Sequence, residues 1–211
     1  MKMRKVAITF FFFLIHLGQL TFPLSKSMHA NNILVVTKKE LNNLSANSYI
    51  KEGLSKGKNG KYKEAIRAFS QAIYIDESHF IAYYNRGFAK MNLKNYEGAI
   101  SDYDHAIEIN PEYAIAYFNR GVARYYLDDY EGAISDYSKT IELQIDDADS
   151  YLNRGLIYFE MGNDKLACQD FKKAASLGNQ FLSSWLNSDD SERCLSSSSD
   201  IKSVFLLMST L

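Results

Sequence analysis

Only two cysteines, two prolines and one tryptophan occur among the 211 residues, and the formal charge at pH 7 is -1. Two thiols, Cys168 and Cys194, exclude both a disulfide-framed miniprotein and a four-cysteine zinc site. A near-neutral balance of 24 basic against 25 acidic residues excludes the broad basic surface that binds nucleic acid by neutralising phosphates. Low proline beside 46% apolar and 14% aromatic residues excludes a low-complexity or disordered chain. What is present instead is a soluble, aromatic-rich sequence with enough apolar mass for an ordinary core.

The first thirty residues have their own composition. Lys2, Arg4 and Lys5 precede an apolar run, Val6 to Ile15, of ten residues. A membrane-spanning helix needs about 20 apolar residues, whereas a secretory signal needs a basic start and about 7 to 15. The expectation is a signal peptide over 1–30, cut after Ala30 or Ser27, that exports the chain. The alternative is an uncleaved N-terminal anchor that tethers it to a membrane. Loss of residues 1–30 removes four basic residues and no acidic one, leaving 20 basic against 25 acidic. Such a surface has no attraction for DNA, RNA or anionic lipid.

Beyond a linker at 31–45, one period of 34 residues runs through the sequence. Gly53, Gly87, Gly121 and Gly155 keep that spacing, as do Ala65, Ala99, Ala133 and Ala167. Phe69, Tyr103, Tyr137 and Phe171 form a third ladder, Tyr49, Tyr83, Tyr117 and Tyr151 a fourth, and Ala72, Ala106, Thr140 and Ala174 a fifth. Within Phe80 to Tyr113, Tyr83, Gly87 and Lys90 are spaced four and three apart, and Ala99, Tyr103 and Ala106 likewise. That spacing predicts two amphipathic helices per period. The break falls at Leu93 to Tyr96, where Asn95, or Asp129 one period later, caps the second helix; Pro111 closes the unit. The small residues let two helix backbones approach, and the aromatics fill the space beside them.

These ladders resemble the tetratricopeptide repeat, a 34-residue helix-turn-helix with an aromatic, Gly, Ala, aromatic, Ala and Pro at fixed offsets. Four units result: 46–79, 80–113, 114–147 and 148–181. The resemblance implies an all-α superhelix of four hairpins. Only the second unit keeps the closing proline, with Glu77, Ile145 and Asn179 in the equivalent places, so the turns between units are expected to vary. Segments such as YxNRG and AISDY are common in bacterial members. Phe181, Leu182, Trp185 and Leu186 predict a capping helix over 180–187 that covers the last apolar face, with Trp185 as packing. The Ser/Asp-rich stretch 188–211 reads as a mobile tail.

No catalytic constellation emerges. His16, His29, His79 and His105 do not pair at metal or triad spacing, and no phosphate loop, nucleophile elbow or HExxH occurs. The expectation is therefore a protein that is not an enzyme and has no metal or cofactor. Asp146, Asp147 and Asp149 cluster before the fourth unit, where capping of a helix N-terminus accounts for them. Cys168 stands where other units have Ile66, Ile100 and Ile134, a core position. Its pairing with Cys194 requires the tail to fold back. Arg86, Arg120 and Arg154 recur with Asp102, Asp136 and Asp170, and the first unit lacks both partners, having Glu52 and Ala68. That joint absence predicts a partly buried structural ion pair between the two helices of a hairpin.

The resemblance further implies that the first helices line a concave groove. On that assignment Asn85, Asn119 and Asn153 form a ladder of amides suited to gripping a peptide backbone. Tyr84, Phe118 and Leu152 lie beside it, then Phe88, Val122 and Leu156. Met91, Tyr125 and Phe159 follow, with Tyr126 adjacent. Chaperone-binding members hold a carboxylate with a cationic clamp. Here Ile50, Leu54, Ile115 and Asn119 occupy the clamp positions and only Asn85 matches. The expected function is an exported scaffold that binds a protein or peptide through an apolar groove and assists assembly in a periplasm, a thylakoid lumen or the extracellular space. Alternatives are a regulator or subunit of an envelope hydrolase, and a structural spacer whose groove packs on its own tail.

Overall fold

A computed structural model describes residues 45–144 and 147–186, and every described residue belongs to one unit, Asn43–Leu211. The expected signal at 1–30, the linker up to residue 44, Ile145, Asp146, Cys194 and the tail at 188–211 lie outside the described residues. Nine helices and no strands are found among those described. They are α1 (45–58), α2 (Tyr62–Ile75), α3 (Phe80–Asn92), α4 (Tyr96–Ile109) and α5 (Ala114–Tyr125), then α6 (Tyr130–Leu143), α7 (Ala148–Glu160), α8 (Asp164–Ser176) and α9 (Gln180–Leu186). Ser45, assigned to the linker by its sequence, is already helical. Consecutive helices pack as antiparallel pairs, with the tightest association inside α3/α4, α5/α6 and α7/α8 and a looser one from each hairpin to the next.

Each hairpin closes around its glycine. A Cβ on Gly87 would stand 2.9 Å from Cε1 of Tyr103 and 3.2 Å from the Ala99 carbonyl oxygen. On Gly53 it would come within 2.5 Å of the Phe69 ring. Ala65, Ala99, Ala133 and Ala167 are wholly buried at the same crossing. Close backbone approach therefore dictates the small residues, and the aromatics seal the gap that approach leaves. Thr140, which replaces an alanine in the ladder, satisfies its hydroxyl by donating to the Asp136 carbonyl at 3.0 Å. Tyr103 does not find such a partner: its side chain is fully buried and its hydroxyl makes no hydrogen bond. Phe69 and Phe171 occupy the equivalent place in the outer hairpins. Tyr103→Phe should thus raise stability by about 1 kcal/mol, because it deletes an unsatisfied polar group without altering shape. An unchanged or lowered urea midpoint would count against this account.

The turn inside every hairpin is the same Schellman-type closure. Lys61, Asn95, Asp129 and Asn163 donate their N–H to the carbonyls of Lys56, Lys90, Arg124 and Tyr158. The residue before each has positive φ: Gly60 at 71°, Lys94 at 59°, Asp128 at 58° and Gly162 at 75°. Asn95, Asp129 and Asn163 then cap the second helix through Gly98, Gly132 and Leu166 N–H groups. The left-handed region costs a residue with a Cβ about 1–2 kcal/mol, more than glycine loses in chain entropy. Lys94→Gly is accordingly expected to stabilise by up to about 1 kcal/mol in thermal unfolding.

The turns between hairpins are more uniform than the lost prolines suggest. Asp76, Asn110 and Gln144 each donate N–H to a carbonyl four residues back, in Ala72, Ala106 and Thr140. His79, Tyr113 and Asp147 then donate to Asp76, Asn110 and Gln144. Backbone hydrogen bonds, present with or without Pro111, set this turn. The fourth unit departs from it: Gly178 takes φ 99° and Asn179 accepts from the Leu182 N–H, which starts α9. Leu182 is fully buried against Ala167, Phe171 and Ala174, with Phe181 alongside. This covers the last apolar face. The Trp185 side chain lies outside the described residues.

Candidate functional site

Which face is free follows from how the helices meet. The first helices α3 and α5 touch each other, whereas no two of the second helices α2, α4, α6 and α8 approach as closely. The first helices therefore lie on the inner side of the curve. Cross-hairpin hydrogen bonds mark that side: Asn119 Nδ2 donates to Tyr84 Oη at 3.1 Å, and Tyr125 Oη to Glu160 Oε1 at 2.6 Å.

Behind this face, arginines join the hairpins. Arg86 grips Asp102 through Nε (3.0 Å) and Nη2 (2.7 Å), with Lys90 Nζ at 2.7 Å on the same carboxylate. Arg120 holds Asp136 through Nη2 (2.5 Å) and Nε (3.0 Å), and Arg124 adds Nη1 at 2.8 Å. Arg154 holds Asp170 through two 2.8 Å contacts. The remaining nitrogen of each arginine turns the other way. Nη1 of Arg86, Arg120 and Arg154 donates to Ser70, Asp104 and Ser138 on the second helix of the preceding hairpin. Each of these three arginines thus bridges its own second helix and its neighbour's, stacked on Tyr83, Tyr117 or Tyr151 at 5.3–5.6 Å. The charges are consumed in holding the scaffold and leave the inner face uncharged over α3 and α5.

The sequence-assigned groove residues divide into two sets. Tyr84, Phe118 and Tyr125 are partly buried fillers: Tyr84 lies against Tyr103 and Tyr113, Phe118 edge-on to Tyr137 at 5.6 Å, and Tyr125 against Tyr130. Burial raises the Tyr84 phenol to about 12. Burial, then the hydrogen bond to Glu160, raises Tyr125 as well. Leu152, Leu156 and Phe159 pack on the α8/α9 core and Val122 on the α6 core, and Met91 is half-buried. Phe88 (46%) and Tyr126 (56%) stand exposed. Leu54, Ile81 and Ile115 share that face and are exposed too. Residue spacing gives the signal for these three, since Leu54 is one period before Phe88, and Ile81 and Ile115 lie one helical face position from the Asn rungs.

The Asn rungs have a different chemistry from the one expected. Nδ2 of Asn85, Asn119 and Asn153 donates to the carbonyl four residues back on the same helix, at 2.7, 3.0 and 2.9 Å. Their carbonyl oxygens remain as acceptors for a guest's N–H groups. Asp147 caps α7 through Ser150, and among the described residues no group of three or more His, Cys, Asp and Glu is placed to hold a metal. Cys168 is buried in the core and is disulfide-bonded rather than a free thiol. No described helix is long and apolar enough to cross a membrane.

Comparison with known proteins agrees with this geometry. Family profiles described as tetratricopeptide repeat match residues 80–113 and 148–179, and one described as TPR repeat matches 58–94 and 123–162, together more than half of the chain. Among solved structures, MamA superposes with a TM-score of 0.62 at 25% identity, over 75% of this chain and 96% of that one. The first TPR domain of Spaghetti (RPAP3), bound to the HSP90 peptide SRMEEVD, gives 0.56 at 29% identity, over 57% and 95%. The second TPR domain of human RPAP3, in complex with the HSP70 peptide SGPTIEEVD, gives 0.52 at 25%, over 56% and 97%. No curated protein sequence matches the chain. With the period, the paired helices and these matches in accord, the chain belongs to the tetratricopeptide-repeat family.

Proposed function

We propose that this protein is an exported scaffold that holds an apolar or aromatic segment of a protein partner in its concave groove and so assists assembly of a complex. The observation that carries the reading is the exposed row Leu54, Ile81, Phe88 and Ile115 on first helices that are otherwise well packed, with Tyr126 exposed just past the end of α5. Residues of this size left in water on one continuous face are an interaction surface by default. RPAP3 domains of this fold are seen with chaperone peptides, which supports peptide binding as the mode. The guest differs, because Ile50, Leu54 and Ile115 stand where a carboxylate clamp needs cations and polar donors.

Export is supported by Lys2, Arg4 and Lys5 ahead of the apolar run, and by the disulfide at Cys168, a bond that persists in oxidising compartments. Binding is tested with a peptide array probed by the full chain. Phe88→Ser, Ile115→Ser and Tyr126→Ser should each weaken the selected peptide by about tenfold or more, the effect of losing one large buried apolar contact. Tyr74→Ser is the control, being 83% exposed on a second helix. A loss confined to the control would move the site to the outer face.

A further inference from the structure

The inner face carries its charge only at its two ends. Six positions of each first helix share that face, those equivalent to Ile81, Tyr84, Asn85, Phe88, Met91 and Asn92. On α1 they include exposed Lys51 and Lys58 and no acidic residue. On α3 and α5 they include no charge at all. On α7 they include Asp149 and Glu160 and no basic residue. Glu160 is oriented by the Tyr125 hydroxyl, which donates to it at 2.6 Å. Asp149 is exposed at the opposite end of the same helix. A cationic edge, two apolar rungs and an anionic edge follow one another along the array.

We propose that the groove takes its guest in one direction: an extended segment of about nine residues, acidic at the end over α1, apolar over α3 and α5, and basic at the end over α7, since three steps of about 10 Å match that length of strand. This rests on the groove reading above and adds the guest's charge pattern to it. Burial of the apolar middle supplies affinity, and the end charges select orientation and speed encounter.

The probe is a nine-residue peptide with two glutamates, five leucine or phenylalanine residues and two lysines, beside a neutral analogue with glutamine at the four charged places. Both are titrated into the full chain by fluorescence anisotropy. Lys51→Glu with Lys58→Glu should weaken the charged peptide about tenfold, the combined size of two exposed attractions turned to repulsion, and leave the neutral analogue within about twofold. A paramagnetic label on the acidic end should broaden amide resonances of α1 and spare α7, and a label on the basic end should do the reverse. Equal broadening of both helices, or equal effects of the variant on both peptides, would overturn the polarity while leaving the groove intact. Failure of either peptide to bind, with Phe88→Ser also silent, would overturn the groove itself. If Phe205→Ser with Leu207→Ser tightens binding of the charged peptide tenfold, residues 187–211 are the occupant and an external guest is excluded.

Discussion

Asp136→Ala is expected to lower the unfolding free energy by about 3 kcal/mol, the low end for breaking a buried ion pair. Asp136 is 1% exposed and receives Arg120 and Arg124, which are themselves largely shielded. Removal leaves two guanidinium groups facing an apolar hairpin core, and each retains only a half-exposed carboxylate, Asp104 for Arg120 at 2.6 Å and Asp129 for Arg124 at 3.6 Å. Asp104→Ala provides the contrast. Its side chain is half exposed, so its loss should cost under about 1 kcal/mol. Urea unfolding of Arg120→Ala, Asp136→Ala and the double variant gives the coupling, expected at about 1–3 kcal/mol. Additive losses would mean that the contact does not hold the hairpin.

The second large effect is alkaline unfolding. Burial raises the Tyr103 and Tyr137 phenols far above the ordinary value of 10.0, and Asp102 and Asp136 beside them add to the shift. Tyr84 is raised for the same first cause. In the unfolded chain all of these ionise near pH 10. A folded-state value above the unfolded one means that the stability is intact below pH 10 and is lost as pH rises toward the folded values. Two fully buried phenols that stay protonated to pH 12 together remove about 5 kcal/mol over those two units, comparable to the whole stability of a domain this size. Far-ultraviolet circular dichroism should therefore show cooperative loss of helix between pH 10 and 12, with phenolate absorbance of these residues appearing in the same step. Tyr103→Phe with Tyr137→Phe should move the midpoint upward. Phenolate absorbance that completes while helix content is unchanged would refute the coupling.

Much of the scaffold is legible in residue spacing, because each hairpin repeats the same local physics. The glycine and alanine ladders mark where backbones cross, and Asn95 and Asp129 stand where a helix needs a cap. The joint absence of arginine and aspartate from the first unit identifies them as partners. The second partner of each arginine is not legible in the same way. Ser70, Asp104 and Ser138 differ in chemistry, and they meet the arginine only because stacking brings a neighbouring hairpin to it. Lys94 gives no sign of a left-handed backbone by residue type, and Asp128 only the weak one that aspartate tolerates it. The turn imposes it, and Gly60 and Gly162 at the same position betray it. The groove shows a similar limit. Tyr84, Phe118 and Tyr125 stand at periodic positions of a binding face, yet Tyr84 and Tyr125 bond across to the next hairpin and Phe118 packs edge-on to Tyr137 in its own.

The sequence by itself determined the period, the all-helical hairpins and the close crossings, since these depend on residues near one another in the chain or one repeat apart. Tertiary structure decided which aromatics remain in water, where the asparagine amides spend their donors, and how each arginine joins two hairpins. Those outcomes depend on how neighbouring hairpins are rotated and spaced, which packing across the interface settles and a single repeat does not encode.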